Sequence, residues 1–472
     1  MKNWLPIILC IPFLAHADDL PELGDASQGA LSPQQERQIG EQSMHQIRAD
    51  KAYLDDTEVN DYLNQLGYQL VANSASPQQE FEFFAINDSA INAFALPGGF
   101  IGVNSGLILA AQSESELASV LSHEIAHVTQ HHLARMVAGQ KFDTVAAMAA
   151  IAVAILAARS NPDAAQAAIV GVQAGSIQRQ LNFTRTYELE ADRLGLATLQ
   201  KAGFDPRAMP LFFERLQKST RLLDNSTPSY LRTHPLTSER IADISSRVQQ
   251  ARYRLVPDSL NFHLVRAKLR ATQFKPQAAV AYFTAALGEQ KHGNPTAQRY
   301  GLALALLKNG QSARAAKEFA PLNKYLSQNP MIATLAGQIR RLDKKDKGLI
   351  AFYRSATQNF PQHRALSYDY AELLLEDKRF ADTLKLLNEQ VTDHPNDPRL
   401  YELQAQAYGA MGKRQEQHHA VAYAYALHGN LFAAIEQLEL AKMAGKDYYQ
   451  LSIIESELKQ FKEIVEAQKK NR

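Results

Sequence analysis

The sequence predicts an α+β domain that is mostly helical with a small sheet, followed by an all-α solenoid of helical repeats. Up to about residue 250, helical segments are mixed with short extended segments. From about Asp258 onward the pattern is purely helical, and Ala and Pro recur at intervals close to 34 residues. A chain of 472 residues is also too long for one ordinary hydrophobic core, so at least two domains are expected.

The N-terminus is typical of a secretion signal. Lys2 precedes an apolar run over residues 4–14, which ends before Ala15-His16-Ala17, a small-x-small cleavage pattern. We predict a signal peptide over residues 1–17 and a flexible, polar segment over residues 18–31. The apolar run of about 11 residues is too short to cross a bilayer, so a membrane anchor is the weaker alternative.

Composition limits the classes of ligand and partner. Removal of the signal peptide removes Cys10, the only cysteine, so a metal in the mature chain would be bound by His, Glu or Asp side chains. The chain carries 50 basic and 49 acidic residues, and the loss of Lys2 leaves 49 of each. This balance predicts no nucleic-acid partner. The 46% of hydrophobic and 21% of charged residues are typical of an ordinary globular protein.

Residues 32–252 are predicted to form the first domain, which begins with two helices. Ser32 places a capping hydroxyl before Pro33 at the first helical position, and this helix is expected to run to about Arg48. The second helix is expected to begin near Asp56. Both segments therefore precede the part of the chain that is expected to form a sheet.

The predicted sheet follows these two helices. Residues 81–86 alternate bulky apolar side chains and are predicted to form a strand. Residues 92–103 contain two short extended segments on either side of Gly98 and Gly99, which suits a hairpin hinged at the two glycines. We therefore expect a small sheet that contains this strand and this hairpin.

Two further helical segments complete the first domain. A long helix is predicted over residues 114–137, with a capping box formed by Ser113 and Glu116. An Ala-, Ile- and Val-rich tract over residues 145–174 is interrupted at residues 159–163, and we predict that it forms a helical hairpin over the site described below. Two buried core helices, a lid and a membrane-surface element are the alternatives left open for this tract.

Residues 258–472 repeat a pattern of small residues and prolines. Small residues share one register: Ala267, Ala303, Ala371 and Ala405, with Gly310 and Gly412 in step. Prolines recur at similar intervals: Pro295, Pro330, Pro361 and Pro395. The spacing is close to the 34-residue period of tetratricopeptide units. We predict about four repeats, closed by a final helix over residues 448–469, that bind protein partners.

A His-Glu-x-x-His motif lies inside the predicted helix over residues 114–137. Because residues four apart share one helix face, His123 and His127 can direct their ring nitrogens at one zinc ion. Glu124 lies one step round the helix and is predicted to act as the general base. Zinc lowers the pKa of the water it binds to about 7, so this motif predicts hydrolytic chemistry.

A second helical segment offers acidic groups about 60 residues downstream. Glu188 and Asp192 repeat the four-residue spacing, and we predict that Glu188 is the third zinc ligand. Asp192 is predicted to orient a ligating imidazole through its other N–H. Glu190 points about 200° away from Glu188 round the helix, so the two cannot bind the same ion. A solvated acidic helix face is the alternative for this cluster.

The two motifs resemble a known family. His-Glu-x-x-His followed by Glu-x-Glu-Ala-Asp is similar to the gluzincin metallopeptidases, the family that includes the CAAX-prenyl proteases. In that family the first Glu of Glu-x-x-x-Asp is the zinc ligand, which agrees with the choice of Glu188. The signal peptide, the segment over residues 92–99, Thr233-His234-Pro235 and the repeats resemble periplasmic members of this family over nearly the whole chain.

The resemblance implies a periplasmic endopeptidase that holds one Zn²⁺ per chain. The implied substrates are unfolded or stalled outer-membrane β-barrel proteins, and the implied partner of the repeats is the β-barrel assembly machinery. A peripheral contact with the outer membrane is left open. The rival hypothesis is a non-proteolytic chaperone or scaffold with a latent or structural zinc site, which would not need Glu124.

Three further histidines have to be assigned. His131 and His132 follow the His-Glu-x-x-His motif, and His234 belongs to the Thr-His-Pro segment that resembles the family. His234 lies in a polar turn over residues 229–237 and is predicted to be a fourth zinc ligand that leaves when substrate enters, as a latency switch. A hydrogen bond to the developing oxyanion and a loop position without a role are the alternatives for His234. His131 and His132 are predicted to be exposed, because metzincin spacing would need a third histidine at Leu133.

The first strand of the predicted hairpin is the candidate substrate-binding element. It contains Asn92, Ala93, Phe94 and Ala95. An extended peptide could add to this strand through main-chain hydrogen bonds and so bring a peptide carbonyl to the zinc. A plain sheet edge without a binding role is the equally weighted alternative.

Overall fold

The computed structural model describes residues 32–138, 174–222, 229–249, 255–289, 293–343, 346–445 and 447–470. The predicted signal peptide and the flexible segment after it lie outside the described residues, and so does almost all of the Ala-rich tract over residues 145–174. Helices and strands are numbered in chain order over the described residues. The predicted class is confirmed, because a mostly helical region with a small sheet is followed by a purely helical one.

The first two helices begin where the sequence places their capping residues. Helix α1 spans Pro33–Ala49, and Ser32 and Gln35 form a reciprocal capping box at its start. Helix α2 spans Thr57–Val71, and the carboxylate of Asp56 accepts hydrogen bonds from the first-turn N–H groups. Both predicted starts are confirmed.

The sheet has three strands, and the predicted hairpin forms two of them. The strands are β1 (Glu82–Ile86), β2 (Ala93–Leu96) and β3 (Phe100–Asn104). Their order is β1-β3-β2, with β3 parallel to β1 and antiparallel to β2. Gly98 and Gly99 make the hinge with φ of 74° and 88°, a conformation that favours glycine. Strand β2 therefore forms one edge of the sheet.

The predicted long helix is interrupted. Three helices follow the sheet: α3 (Ser105–Ala110), α4 (Glu114–Thr129) and α5 (His132–Ala138). Between α4 and α5, His131 adopts a left-handed conformation with φ of 49°. A single helix over residues 114–137 was therefore a wrong prediction.

The predicted capping box at the start of α4 is only half formed. The side chain of Ser113 accepts a hydrogen bond from the backbone N–H of Glu116, as predicted. The Glu116 carboxylate instead accepts from the backbone N–H of Gln112 at 2.6 Å, and it also pairs with Arg215 of a later helix. The hydrogen bond from the backbone N–H of Ser113 to Glu116, which would complete the capping box, is therefore replaced by an ion pair with a distant helix.

Among the described residues, four more helices belong to the first region: α6 (Ala174–Lys201), α7 (Ala208–Leu222), α8 (Ser229–Thr233) and α9 (Ser238–Gln249). Helix α4 is buried on almost every side, because it packs against α2, β2, α6 and α7. Gly195 permits the close approach of α6, since a Cβ atom there would lie 3.0 Å from the backbone nitrogen of His123. The His-Glu-x-x-His motif therefore lies in the core.

The remaining helices form six consecutive pairs within the described part of the chain. The pairs are α10 (Leu260–Gln273) with α11 (Pro276–Glu289), α12 (Pro295–Lys308) with α13 (Ser312–Phe319), α14 (Pro330–Arg341) with α15 (Leu349–Asn359), α16 (Arg364–Glu376) with α17 (Phe380–Asp393), α18 (Pro398–Ala410) with α19 (Arg414–Leu427), and α20 (Leu431–Ala444) with α21 (Tyr448–Lys470). The prediction of about four repeats was therefore too low. The alanine series skips the pair that begins at Pro330, because Gly337 takes the alanine position of α14 and faces Tyr353.

One apolar core joins the two regions. It runs without a break from Val59 in α2 through α4 and the sheet to Ile339 in α14. The first repeats are therefore packed on the region that carries the His-Glu-x-x-His motif. None of the described helices is both long and apolar enough to span a lipid bilayer.

Candidate metal centre

Helix α4 presents two histidines and a glutamate from its buried interior. The Nε2 atoms of His123 and His127 lie 3.0 Å apart, because the two residues are one helical turn apart on the same face. His123 is fully buried, and the side chain of His127 is 14% exposed. Both imidazoles therefore turn a nitrogen towards one point at the edge of the core.

Helix α6 adds a carboxylate at that point. Glu188 places Oε2 3.4 Å from His123 Nε2 and Oε1 3.3 Å from His127 Nε2. The predicted third ligand is thus brought against both histidines. Glu190, on the opposite side of the helix, accepts instead from His132 and Arg135.

His234 approaches the same point from the end of α8. Its Nδ1 lies 3.1 Å from Glu188 Oε1, and its imidazole is buried. The backbone N–H of Tyr230 donates to Ile91 O at 3.1 Å, which ties α8 to the start of β2. The predicted polar turn is therefore partly wrong, because residues 229–233 form a short helix that fixes the position of His234.

The four side chains fit a metal ion. The candidate ligand atoms of His123, His127, Glu188 and His234 all lie within 4.8 Å of one another. Several of their separations are 3.0–3.4 Å, close to the roughly 3.3 Å edge of a tetrahedron with metal–nitrogen distances of about 2.0 Å. Imidazole and carboxylate are ligands that zinc accepts in proteins.

The hydrogen bonding of Glu124 also indicates that a metal ion or a water molecule belongs at this site. Its side chain is fully buried, and neither carboxylate oxygen has a hydrogen-bond partner among the described residues. His234 Nε2 lies 3.4 Å from Oε1. A buried carboxylate without partners is costly, so this arrangement indicates a polar species that Glu124 contacts at the centre.

Asp192 and Arg240 contact the candidate ligands from the side of the core. Asp192 Oδ1 lies 3.0 Å from His123 Nδ1, the position predicted for an orienting carboxylate. Arg240 donates to both oxygens of Asp192 at 2.7 and 2.8 Å and lies 2.8 Å from Glu188 Oε2. Arg240 was not among the residues predicted from the sequence. The sequence does contain a pattern that could have indicated it. Arg240 lies on the apolar face of α9, where Arg240, Ile244 and Val248 are buried at four-residue spacing.

His132 is the second residue that the sequence analysis misplaced. It was predicted to be exposed, but it is only 4% exposed and its ring stacks on Tyr187 at 4.5 Å. Burial and the neighbouring His127 lower its pKa to about 3. His131 is partly buried and lies 3.2 Å from the carboxylate of Glu36, so it is not a free surface residue either. The helix break at His131 explains both errors.

The pKa values of the candidate ligands are shifted far from their ordinary values. Burial disfavours the charged form of His123, but hydrogen bonds to Asp192 and Glu188 outweigh it and raise its pKa to about 9. Burial lowers the pKa of His127 to about 4. Burial alone would raise the pKa of Glu188, but His234 and His127 hold it well below its ordinary value. A metal cation can therefore take the place of the proton on His123.

Comparison with known proteins identifies the family. The profile of peptidase family M48 matches residues 57–248, and a tetratricopeptide-repeat profile matches residues 350–407. A putative beta-barrel assembly-enhancing protease of Vibrio cholerae is 38% identical, over 90% of this chain and 89% of that protein. This chain belongs to peptidase family M48. The beta-barrel assembly-enhancing protease of Escherichia coli K12 is 33% identical over 92% of this M48 chain and 89% of its own length.

A more distant relative matches about half of the chain. The mitochondrial metalloendopeptidase OMA1 of Arabidopsis thaliana is 30% identical over 48% of this M48 chain and 44% of that protein. The chain is thus a metalloendopeptidase with a tetratricopeptide-repeat region, the kind of region that binds other proteins. The rival hypothesis of a non-proteolytic scaffold is not favoured.

The edge strand of this M48 peptidase borders a cleft beside the metal centre. The residues that line it include Ala95, Leu96 and Pro97 from the hairpin, and His127 and Val128 from α4. An extended chain in this cleft would lie next to His127.

The predicted substrate-binding residues differ in what they expose. Ala93 and Phe94 are buried, and the Phe94 ring packs edge-on against Phe84 at 5.9 Å. Asn92 and Ala95 are partly exposed. The side chain of Phe94 therefore belongs to the core, so any substrate contact from this strand has to come from its backbone and from Asn92 or Ala95.

Proposed function

We propose that this M48 metallopeptidase is a periplasmic zinc endopeptidase that hydrolyses unfolded or stalled outer-membrane β-barrel proteins. The N-terminal pattern that predicts a signal peptide supports the location. The names of the relatives, which are beta-barrel assembly-enhancing proteases, support the substrate class. The buried carboxylate of Glu124, which lies beside the candidate ligands and accepts no hydrogen bond from any described residue, carries the assignment of the reaction.

In this proposal, His123, His127 and Glu188 hold one zinc ion per chain. Zinc supplies Lewis-acid chemistry, because it lowers the pKa of a coordinated water to about 7 and polarises the peptide carbonyl. Asp192 holds the imidazole of His123 through Nδ1, so that Nε2 faces the other ligands. Arg240 in turn fixes the orientation of Asp192 and Glu188.

Glu124 moves the proton. As the general base, it takes a proton from the attacking water, and it then gives that proton to the leaving amine. Burial raises the pKa of its carboxyl, and His234 and His123 oppose this effect. A raised pKa suits both halves of the task, because the carboxyl has to accept the proton and also release it.

His234 is assigned the role of a latency switch. Its imidazole lies with the three other candidate ligands, which supports a fourth ligand in the resting enzyme. Departure of His234 would open a coordination position for substrate. Donation to the developing oxyanion is the second candidate role, supported by the 3.4 Å between His234 Nε2 and Glu124 Oε1.

Substrate and partner are assigned to separate parts of the chain. An extended segment of the client is proposed to pair with the backbone of β2 in the cleft lined by Ala95 and His127. The repeats are proposed to bind the client or the β-barrel assembly machinery, with a chaperone-like role in assembly. Peripheral contact with the outer membrane remains part of the proposal.

Substitution of Glu124 by Gln tests the reaction. We expect the variant to keep its fold and about one zinc per chain, while cleavage of an unfolded outer-membrane β-barrel protein falls by about 10²- to 10⁴-fold. The loss follows because an amide cannot accept the proton. Zinc content and single-turnover cleavage measure the two effects. The partly exposed Glu214, which pairs with Lys218, provides the control, since Glu214→Gln is expected to cleave at the wild-type rate. Full activity in Glu124→Gln would disprove the mechanism.

Substitution of His234 by Ala separates the two roles of that residue. A latency switch predicts faster cleavage of the same protein, because the coordination position is already open. An oxyanion donor predicts slower cleavage, by about 10²- to 10³-fold. Zinc content measured in parallel shows whether three ligands suffice. A rate equal to that of the wild type would leave His234 without either role.

A further inference from the structure

We propose that His132 is a positioning residue of the metal centre, which fixes the orientation of His127 through a chain of hydrogen bonds that ends on Glu190. This inference rests on the proposed function, in which His127 is a zinc ligand. Its basis is a close contact, since His132 Nδ1 lies 2.9 Å from His127 Nδ1. That nitrogen of His127 is the one that faces away from His123 and Glu188.

The environment holds His132 in place from two further sides. Its Nε2 lies 3.2 Å from Glu190 Oε2, and Arg135 Nη1 lies 3.2 Å from the same oxygen. Tyr187 covers the ring with an interplanar angle of 19°. A buried imidazole with both nitrogens in contact has one orientation only, which is what a positioning residue requires.

The helix break supplies the geometry. On an unbroken helix, a residue five positions after His127 would lie about 140° round the axis, so its ring could not meet that of His127. The left-handed turn at His131 ends α4 and starts α5 with His132 folded back on His127. This conformation is unfavourable for a residue other than glycine, and Glu36 contacts His131 there. Such backbone conformations cluster at functional sites.

The donors and acceptors form a consistent sequence. A histidine that binds zinc through Nε2 carries its proton on Nδ1. In the proposed chain, His127 donates from Nδ1 to the Nδ1 of a neutral His132, which donates from Nε2 to Glu190. Glu190 lies on the side of α6 that faces away from the metal centre, and the imidazole of His132 connects it to His127. Asp192 of the same helix meets Nδ1 of His123 directly.

Zinc affinity is the measurement that tests the chain. The zinc dissociation constant of the full chain, from competition with a chelator, is expected to rise about 10- to 100-fold in His132→Ala. His132→Gln is expected to recover part of the affinity, because its amide can both accept and donate. His428→Ala is the control, since that histidine is half exposed and pairs with Glu402 on a distant repeat. Its dissociation constant is expected to equal that of the wild type.

A second variant keeps the test decisive if His132→Ala does not fold. Glu190 is about one-third exposed, so Glu190→Gln is expected to fold and to raise the zinc dissociation constant above that of the wild type. The loss of affinity in the double variant of Glu190→Gln with His132→Gln is expected to be smaller than the sum of the two single losses, because both changes act on one chain. Additive losses in the double variant would contradict the proposal.

The outcomes distinguish this proposal from the proposed function. If the wild type binds one zinc and cleaves, while His132→Ala keeps the wild-type dissociation constant, the chain of hydrogen bonds is overturned and the peptidase assignment stands. A role in folding alone would lower the Tm of the zinc-free protein without changing that constant, and would overturn the proposal equally. If the wild type binds no zinc, the proposed function fails, and the role of His132 fails with it.

Discussion

Arg240 connects two carboxylates of the candidate metal centre that come from the same helix. It donates to both oxygens of Asp192 and contacts Glu188, and its side chain is only 2% exposed. A bidentate guanidinium–carboxylate pair fixes direction as well as charge. At the residue scale, the alignment of the candidate ligands therefore depends on a residue that is not itself a ligand.

Substitution of Arg240 by Leu is expected to lower the free energy of unfolding of the zinc-free protein by about 3–5 kcal/mol, because it leaves the buried charge of Asp192 uncompensated. Urea unfolding in the presence of a chelator measures the effect. Arg247 forms an exposed ion pair with Asp243 in the same helix, so Arg247→Leu is the matched control. The control is expected to cost less than about 1 kcal/mol. Equal losses in the two variants would show that burial of the Arg240 pair is irrelevant.

At the scale of elements, the spacing between α4 and α6 decides whether the ligands meet. Gly195 lies in the interior of α6, where glycine is unfavourable for the helix itself. A Cβ atom at this position would lie 3.0–3.1 Å from the backbone of Ser122 and His123. The glycine therefore lets α6 lie close to α4, so that Glu188 and Asp192 reach the histidines.

Substitution of Gly195 by Ala is expected to push α6 away from α4. We expect a loss of about 1–3 kcal/mol in the free energy of unfolding, together with weaker zinc binding, since Glu188 would move with its helix. Thermal unfolding and chelator competition measure the two effects. Gly288, in α11, has open space around its Cβ position, so Gly288→Ala should be neutral or slightly stabilising. Wild-type zinc affinity in Gly195→Ala would refute the role of this close contact.

The turns inside the repeat pairs differ in how much sequence signal they carry. Gly310 and Gly412 adopt a left-handed conformation with φ of 72°, and Lys378, 34 residues before Gly412, adopts the same conformation with φ of 58°. A lysine at this position carries no sequence signal, although the backbone requirement is the same. The backbone conformation of these turns is therefore more regular than the residue types found in them.

At the scale of the whole molecule, the repeats are bound to the peptidase region at several places. Glu114, at the start of α4, accepts from the backbone and side chain of Ser259, which caps α10. At the far side, a Cβ atom on Gly429 would lie 2.4 Å from Nδ1 of His45 in α1. The two regions also share one apolar core. They therefore form one packed unit rather than two linked domains that move freely.

A buried cluster of charges strengthens this contact at helix α2. Lys268 of the first repeat pair lies 2.7 Å from Asp56 and 2.6 Å from Glu58. His363, which precedes α16, lies 3.0 Å from Glu58, and Arg364 pairs with Asp61. One helix of the peptidase region is thereby paired with two different helix pairs of the solenoid.

This cluster makes the stability of the molecule depend on pH. Burial alone would raise the pKa of Glu58, but Lys268 and His363 outweigh it and lower the pKa from 4.5 to about 2. Because the folded pKa lies below the unfolded one, the contribution is complete above pH 4.5 and is lost as pH falls towards 2. A shift of this size corresponds to about 3 kcal/mol, of which about 2 kcal/mol is lost between pH 6 and pH 3.

Unfolding of the zinc-free protein at pH 6 and pH 3 tests this dependence. Glu58→Gln is expected to be less stable at pH 6 and to lose about 2 kcal/mol less than the wild type on acidification. Glu389→Gln, a change at an exposed position of α17, is expected to keep the wild-type dependence. The same pH dependence in Glu58→Gln and wild type would rule out Glu58 as its source.

The sequence by itself determined the parts of this protein that depend on local spacing. Two histidines and two acids at four-residue intervals define helix faces, so His123, His127, Glu188 and Asp192 could be named before any packing was known. The capped starts of α1 and α2, the glycine hinge of the hairpin and the helical repeats follow from equally local rules. The class of the fold could be predicted for the same reason.

Only the tertiary structure decided which distant residues support that site. Arg240 reaches Asp192 across 48 positions, and His132 reaches Glu190 across 58. The break at His131 and the docking of the repeats on α2 are likewise long-range results. Packing and the energetic cost of an uncompensated buried charge decide which residues become partners of this kind. The spacing of residues along one helix gives no information about either.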